Sequence, residues 1–64
     1  MGTNKTYFRV WPEGLKPVYV NCLSDITGIL TEAELRISDI SVVFDGVVIG
    51  YLNQDKVADT LWAD

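Results

Sequence analysis

Few residues in this chain have types and spacing suited to chemistry. Cys22 is the one thiol, and a thiol nucleophile needs a base beside it. The chain has no histidine, the commonest general base. Cys22 therefore reads as a small core residue that ends a strand. A lone cysteine without histidine also makes no zinc site. Asp55 and Asp59 stand one helical turn apart with Lys56 between them, so a metal pair is conceivable. A capping residue and a solvated helix face account for them better. Glu32 and Glu34 are neighbours but one, and such residues do not face each other on a helix. Gly46 and Gly50 fall inside an apolar hairpin, without the helix start that a phosphate loop needs. The expectation is no catalytic residue, no cofactor and no metal: a protein that binds and does not turn over substrate.

Residue types suited to recognition are better represented. Tyr7, Arg9, Trp11 and Tyr19 fall in two β-branched and aromatic runs, Thr6 to Trp11 and Pro17 to Cys22. Pro12-Glu13-Gly14-Leu15-Lys16 supplies the turn between them. If Val10 sits opposite Val18, then Phe8 faces Val20 and Arg9 faces Tyr19. That register puts Phe8, Val10, Val18, Val20 and Cys22 on one side, and Tyr7, Arg9, Trp11, Tyr19 and Asn21 on the other. Tyr, Trp and Arg are enriched at interface hot spots, and Trp11 over Arg9 or Lys16 would make a cation–π pair. The competing reading is that helices pack on this side and bury the aromatics, because a one-residue slip exchanges the two faces.

A second hairpin is written in SVVFDGVVIGYL, residues 41–52. Asp45-Gly46 suits a two-residue type I′ turn, which needs positive φ. Such a turn pairs Phe44 with Val47, Val43 with Val48, Val42 with Ile49 and Ile40 with Tyr51. One face then holds Ile40, Val42, Phe44, Val47, Ile49 and Tyr51 and reads as the centre of the core. The other holds Asp39, Ser41, Val43, Val48, Gly50 and Leu52. Val43 and Val48 are left without an obvious cover, so a second chain or a partner is expected to supply one.

Helical spacing fills the remainder. Ile26, Ile29, Leu30, Ala33 and Ile37 lie on one helical face, with Ser24 as a cap. Thr31-Glu32-Ala33-Glu34 is a second capping pattern, so the helix breaks or starts afresh near residue 31. Asn53 caps a last helix running to about Ala63, with Val57, Ala58, Leu61 and Trp62 on one stripe. The order β-β-α-β-β-α predicts an α+β fold over residues 1–64, one small domain with an antiparallel sheet and helices on one face.

Sixty-four residues bury only about 60% of the unfolded surface. No intrachain disulfide can form, so association with another chain is the expected support. The net charge is −4 and uneven. Lys5, Arg9 and Lys16 against Glu13 leave the first 24 residues at +2. Asp25, Glu32, Glu34, Asp39, Asp45, Asp55, Asp59 and Asp64 against Arg36 and Lys56 leave the rest at −6. Phosphate binding needs clustered Lys and Arg, so direct nucleic-acid binding is disfavoured. No apolar run reaches membrane-spanning length, no secretory signal opens the chain, and the cytoplasm is the expected compartment.

Small size, acidity, economy of strands and helices and the lack of catalytic groups resemble small phage-encoded proteins that bind and disable host enzymes. The resemblance is architectural and rests on no motif. It implies an inhibitor or modulator of a larger protein in the host cytoplasm, acting through Tyr7, Arg9, Trp11, Tyr19, Val43 and Val48. Two alternatives stand beside it. A DNA mimic would use the acidic surface of Glu32, Glu34, Asp55 and Asp59 to occupy an enzyme that acts on nucleic acid. A self-assembling subunit would form a homo-oligomer through Val43 and Val48.

Overall fold

The computed structural model describes residues 5–63. Residues 1–4 and 64 of the expected domain lie outside the described residues. The elements are β1 (Thr6–Pro12), β2 (Val18–Val20), a 3-10 helix (Leu23–Gly28), α1 (Glu32–Arg36), β3 (Ser38–Phe44), β4 (Val47–Leu52) and α2 (Gln54–Leu61). The strands form one antiparallel sheet in the order β2-β1-β3-β4. The helices pack on one face of it, which makes the α+β architecture that the element order predicts.

The first hairpin has the expected register, with Phe8 opposite Val20, Arg9 opposite Tyr19 and Val10 opposite Val18. Gly14 takes φ 76°, open to glycine at no steric cost, and the Leu15 amide donates to the Pro12 carbonyl at 3.2 Å. β2 is shorter than the sequence suggests and stops at Val20. Cys22 is exposed beyond it and not in the core. β1 and β3 pair over seven residues, from Thr6 opposite Phe44 to Pro12 opposite Ser38, and so join the two hairpins.

The stretch 24–37 does not make one helix. Its first part is a 3-10 helix whose N-cap is Cys22, not Ser24, and Thr27 Oγ1 donates back to the Ser24 carbonyl at 2.9 Å. The capping box at residue 31 forms. Glu34 N donates to Thr31 Oγ1 at 3.2 Å, and Thr31 N donates to Glu34 Oε1 at 2.8 Å. A 3-10 segment turns every three residues, so the 3.6-residue stripe loses phase at the break. Ile26, Leu30 and Leu35 are buried, while Ile29 and Ile37 are exposed. α2 matches its expectation: Asn53 Oδ1 accepts from Lys56 N at 3.1 Å, and Val57, Ala58, Leu61 and Trp62 all meet the core.

Val10, Val20 and Ile40 from the sheet meet Ile26, Leu30, Leu35 and Ala58 from the helical layer. Each of the Val, Leu and Ile side chains contributes about 1.5–3 kcal/mol on full burial.

The second hairpin keeps its turn but not its full register. Asp45 and Gly46 have φ 53° and 78°, the two positive values of a type I′ turn. Phe44–Val47 and Val43–Val48 pair as expected. Val42 then pairs with Gly50, Ser41 with Tyr51 and Ile40 with Leu52. Ile49 is the extra residue of a β-bulge, and beyond it every residue of β4 changes face. Leu52 joins the core and Tyr51 moves to the outer face, the reverse of the expectation. Phe44, expected at the centre of the core, is 38% exposed because it sits at the hairpin tip, away from the helices. Val47, Ile49 and Tyr51 are exposed as well.

Candidate protein-binding face

Among the described residues the helices lie on one side of the sheet, so its other side carries side chains with no layer of described residues over them. Cross-strand partners share a face. The pairs Tyr7–Val43, Arg9–Ser41, Trp11–Asp39, Arg9–Tyr19, Val43–Val48 and Ser41–Tyr51 therefore place these residues on one surface. The predicted group of Tyr7, Arg9, Trp11, Tyr19, Val43 and Val48 does come together there. Tyr51 is an addition that the sequence reading put on the opposite face.

The surface is organised by ring contacts. Tyr7 and Tyr19 meet edge to face at 6.0 Å between ring centroids, an arrangement that suits the aromatic quadrupole. The Arg9 guanidinium carbon lies 5.5 Å from the centroid of the Trp11 ring. Trp11 Nε1 donates to the Leu15 carbonyl at 3.0 Å, which fixes the indole against the turn. Arg9 Nη2 reaches Ser41 Oγ at 3.5 Å, at the limit of a hydrogen bond. Arg9 Nε is buried without a partner among the described residues.

These long side chains also cover the short ones. Ser41 sits between Arg9 and Tyr51, and Val43 between Tyr7 and Val48. Val43 is only 4% exposed within the single chain, yet it lies outside the core cluster. The expectation that Val43 and Val48 are uncovered is thus corrected: Val43 is buried and Val48 half-buried. Their neighbours on that face include the longer Tyr7, directly across from Val43. What the face presents outward is Trp11, Tyr19 and Tyr51, with Tyr7 and Arg9 half-buried among them. Open depressions flank it. One of about 520 Å³ is lined by Trp11, Pro12, Glu13, Gly14, Ile37 and Asp39. Another of about 500 Å³ is lined by Lys5, Tyr7, Tyr19, Val20 and Asn21.

The acidic residues gather on the opposite, helical side. Arg36 Nη2 contacts Glu32 and Asp59, each at 2.7 Å, and Arg36 Nη1 contacts Asp55 at 3.3 Å. The Asp59 and Glu32 carboxylates hold the guanidinium still further above its ordinary pKa. Glu34 stands apart as the capping residue of α1. Three of the four predicted acidic residues are therefore brought together around a cation, which no spacing rule anticipates because Arg36 and Asp59 sit on different helices.

Cys22 Sγ lies 3.0 Å from Ser24 Oγ on an exposed turn, and no His, Cys, Asp or Glu group suited to a metal occurs among the described residues. No helix among the described residues is long and apolar enough to cross a membrane. Comparison of the chain with protein-family models, curated proteins and solved structures finds no match.

Proposed function

We propose that the protein is a small interaction module that binds a larger protein through the outer face of its sheet and inhibits or modulates it. The observation that carries this reading is the aromatic surface of Trp11, Tyr19 and Tyr51, left uncovered by the helical layer. Aromatic rings on strands are rigid anchors, and Arg9 stacked on Trp11 adds a charge that needs little further ordering. A target with apolar pockets and a carboxylate near Arg9 suits this surface. The action is binding without turnover, in the cytoplasm, in the manner of phage-encoded inhibitors of host enzymes. The DNA-mimic alternative has less support, because Arg36 neutralises part of the carboxylate cluster and Glu34 is engaged in a cap.

Affinity capture with the full chain tests the proposal. A protein retained by the parent should be lost with Trp11→Ala or Tyr19→Ala and kept with Glu32→Gln plus Asp59→Asn. The reverse pattern would favour the acidic side, and an equal loss in both would reject a defined face.

A further inference from the structure

β4 lies at one edge of the sheet, and no strand among the described residues pairs with its outer side. Proteins blunt such edges with shortness, proline or charge. The other edge, β2, is three residues long, follows Pro17 and is preceded by Lys16. β4 runs six residues, Val47–Leu52, with neither proline nor charge. Val47, Ile49 and Tyr51 are 60%, 62% and 73% exposed along it. A bulge can also blunt an edge, but this one sets an apolar Ile49 at the rim and no charge.

We propose that the β4 edge pairs antiparallel with β4 of a second copy of this chain, joining two four-stranded sheets into one of eight. Charge selects the occupant. Two-fold pairing brings a strand against its own copy, so a charge near the two-fold axis would meet its like. The chain as a whole carries −4, yet Val47–Leu52 carries none, and the flanking Asp45 and Asp55 lie beyond its ends. Two-fold pairing through β4 also closes. It consumes the long edges and leaves only the two short β2 edges exposed, which gives a dimer and not a filament. A 64-residue core without a disulfide gains the support that its size calls for. This goes beyond the partner reading and does not depend on it; the two aromatic faces would lie side by side on one sheet.

Sedimentation equilibrium of the full chain over a concentration series tests the dimer. The parent is expected to dimerise, Ile49→Lys to weaken dimerisation by at least about ten-fold, and Trp11→Ala to leave it unchanged. An equimolar mixture of Ile49→Lys and Ile49→Glu chains should associate again as a heterodimer, which misfolded chains would not do. Tyr51→Lys with Tyr51→Glu provides a second such pair. A parent that stays monomeric at several hundred micromolar overturns the proposal. So does a dimer that both charged variants leave intact, or a failure of both charge pairs to recover it. A monomeric parent whose β4 edge instead takes up an extended segment of another protein also overturns it.

Discussion

The guanidinium carbon of Arg9 lies 5.5 Å from the centroid of the Trp11 ring, on the sheet face opposite the helical layer. The two residues alternate along β1 and so point the same way. The pair orders the charge without burying the indole, which stays exposed. Trp11→Ala should therefore cost little in folding, about 1 kcal/mol, from the lost ring contact. Loss of partner binding should be larger, about 2 kcal/mol or more, as for an interface anchor. Urea melts beside binding titrations check the difference.

The core predicts the opposite ranking for two other large side chains. Leu35 is fully buried, and Leu35→Ala should cost about 2–5 kcal/mol. Phe44 is partly exposed at the hairpin tip, so Phe44→Ala should cost only about 1 kcal/mol. Chemical denaturation of both variants checks the order. A Phe44 variant less stable than the Leu35 variant would contradict the placement of the helices.

Two glycines of the second hairpin should respond to alanine with opposite signs. Gly46 holds φ 78°, so Gly46→Ala strains the turn and should destabilise by about 1 kcal/mol. Gly50 has no such φ, and nothing lies within 4 Å of where a Cβ would stand. Gly50→Ala should be neutral or stabilise by up to about 1 kcal/mol. Thermal melts of the two variants read the signs directly.

Arg36 joins Glu32 on α1 to Asp55 and Asp59 on α2. Arg36→Ala leaves three carboxylates close together without a cation. Its melting temperature should fall, and added salt should narrow the gap from the parent as repulsion is screened. Since its partners raise the pKa of Arg36, its contribution is fully present below the unfolded value and is lost only as pH rises beyond it. The titration of Arg36 should therefore add no pH dependence to stability around neutral pH.

How far the sequence led can be read from particular residues. Asp45-Gly46 and the Val10–Val18 pairing were legible because turn chemistry and strand alternation are local. So was the shared face of Tyr7, Arg9, Trp11 and Tyr19, which needs only that register. The bulge at Ile49 was not, because an extra residue leaves the alternating pattern intact on each side and shifts it only between them. Gly50 was the one signal, since glycine inside a strand often marks a bulge. Missing it put Tyr51 on the wrong face. Phe44 was misplaced for another reason: alternation gives its face but not its distance from the helices, and it sits at the hairpin tip. The cover over Val43 comes from long side chains of its own face, a tertiary fact that hydrophobic counting does not contain. The Arg36 cluster depends on how two helices meet and was equally hidden.

The central claim is that the outer sheet face meets the partner, and oxidative footprinting of the complex tests it most directly. Free protein should be modified at Trp11, Tyr19 and Tyr51, which are exposed, and at Phe44, part-exposed at the hairpin tip on the opposite face of the sheet. On complex formation the account predicts a several-fold fall at Trp11 and Tyr19 with Phe44 unchanged. Trp11 and Tyr19 remaining as reactive in the complex as in the free chain would contradict it.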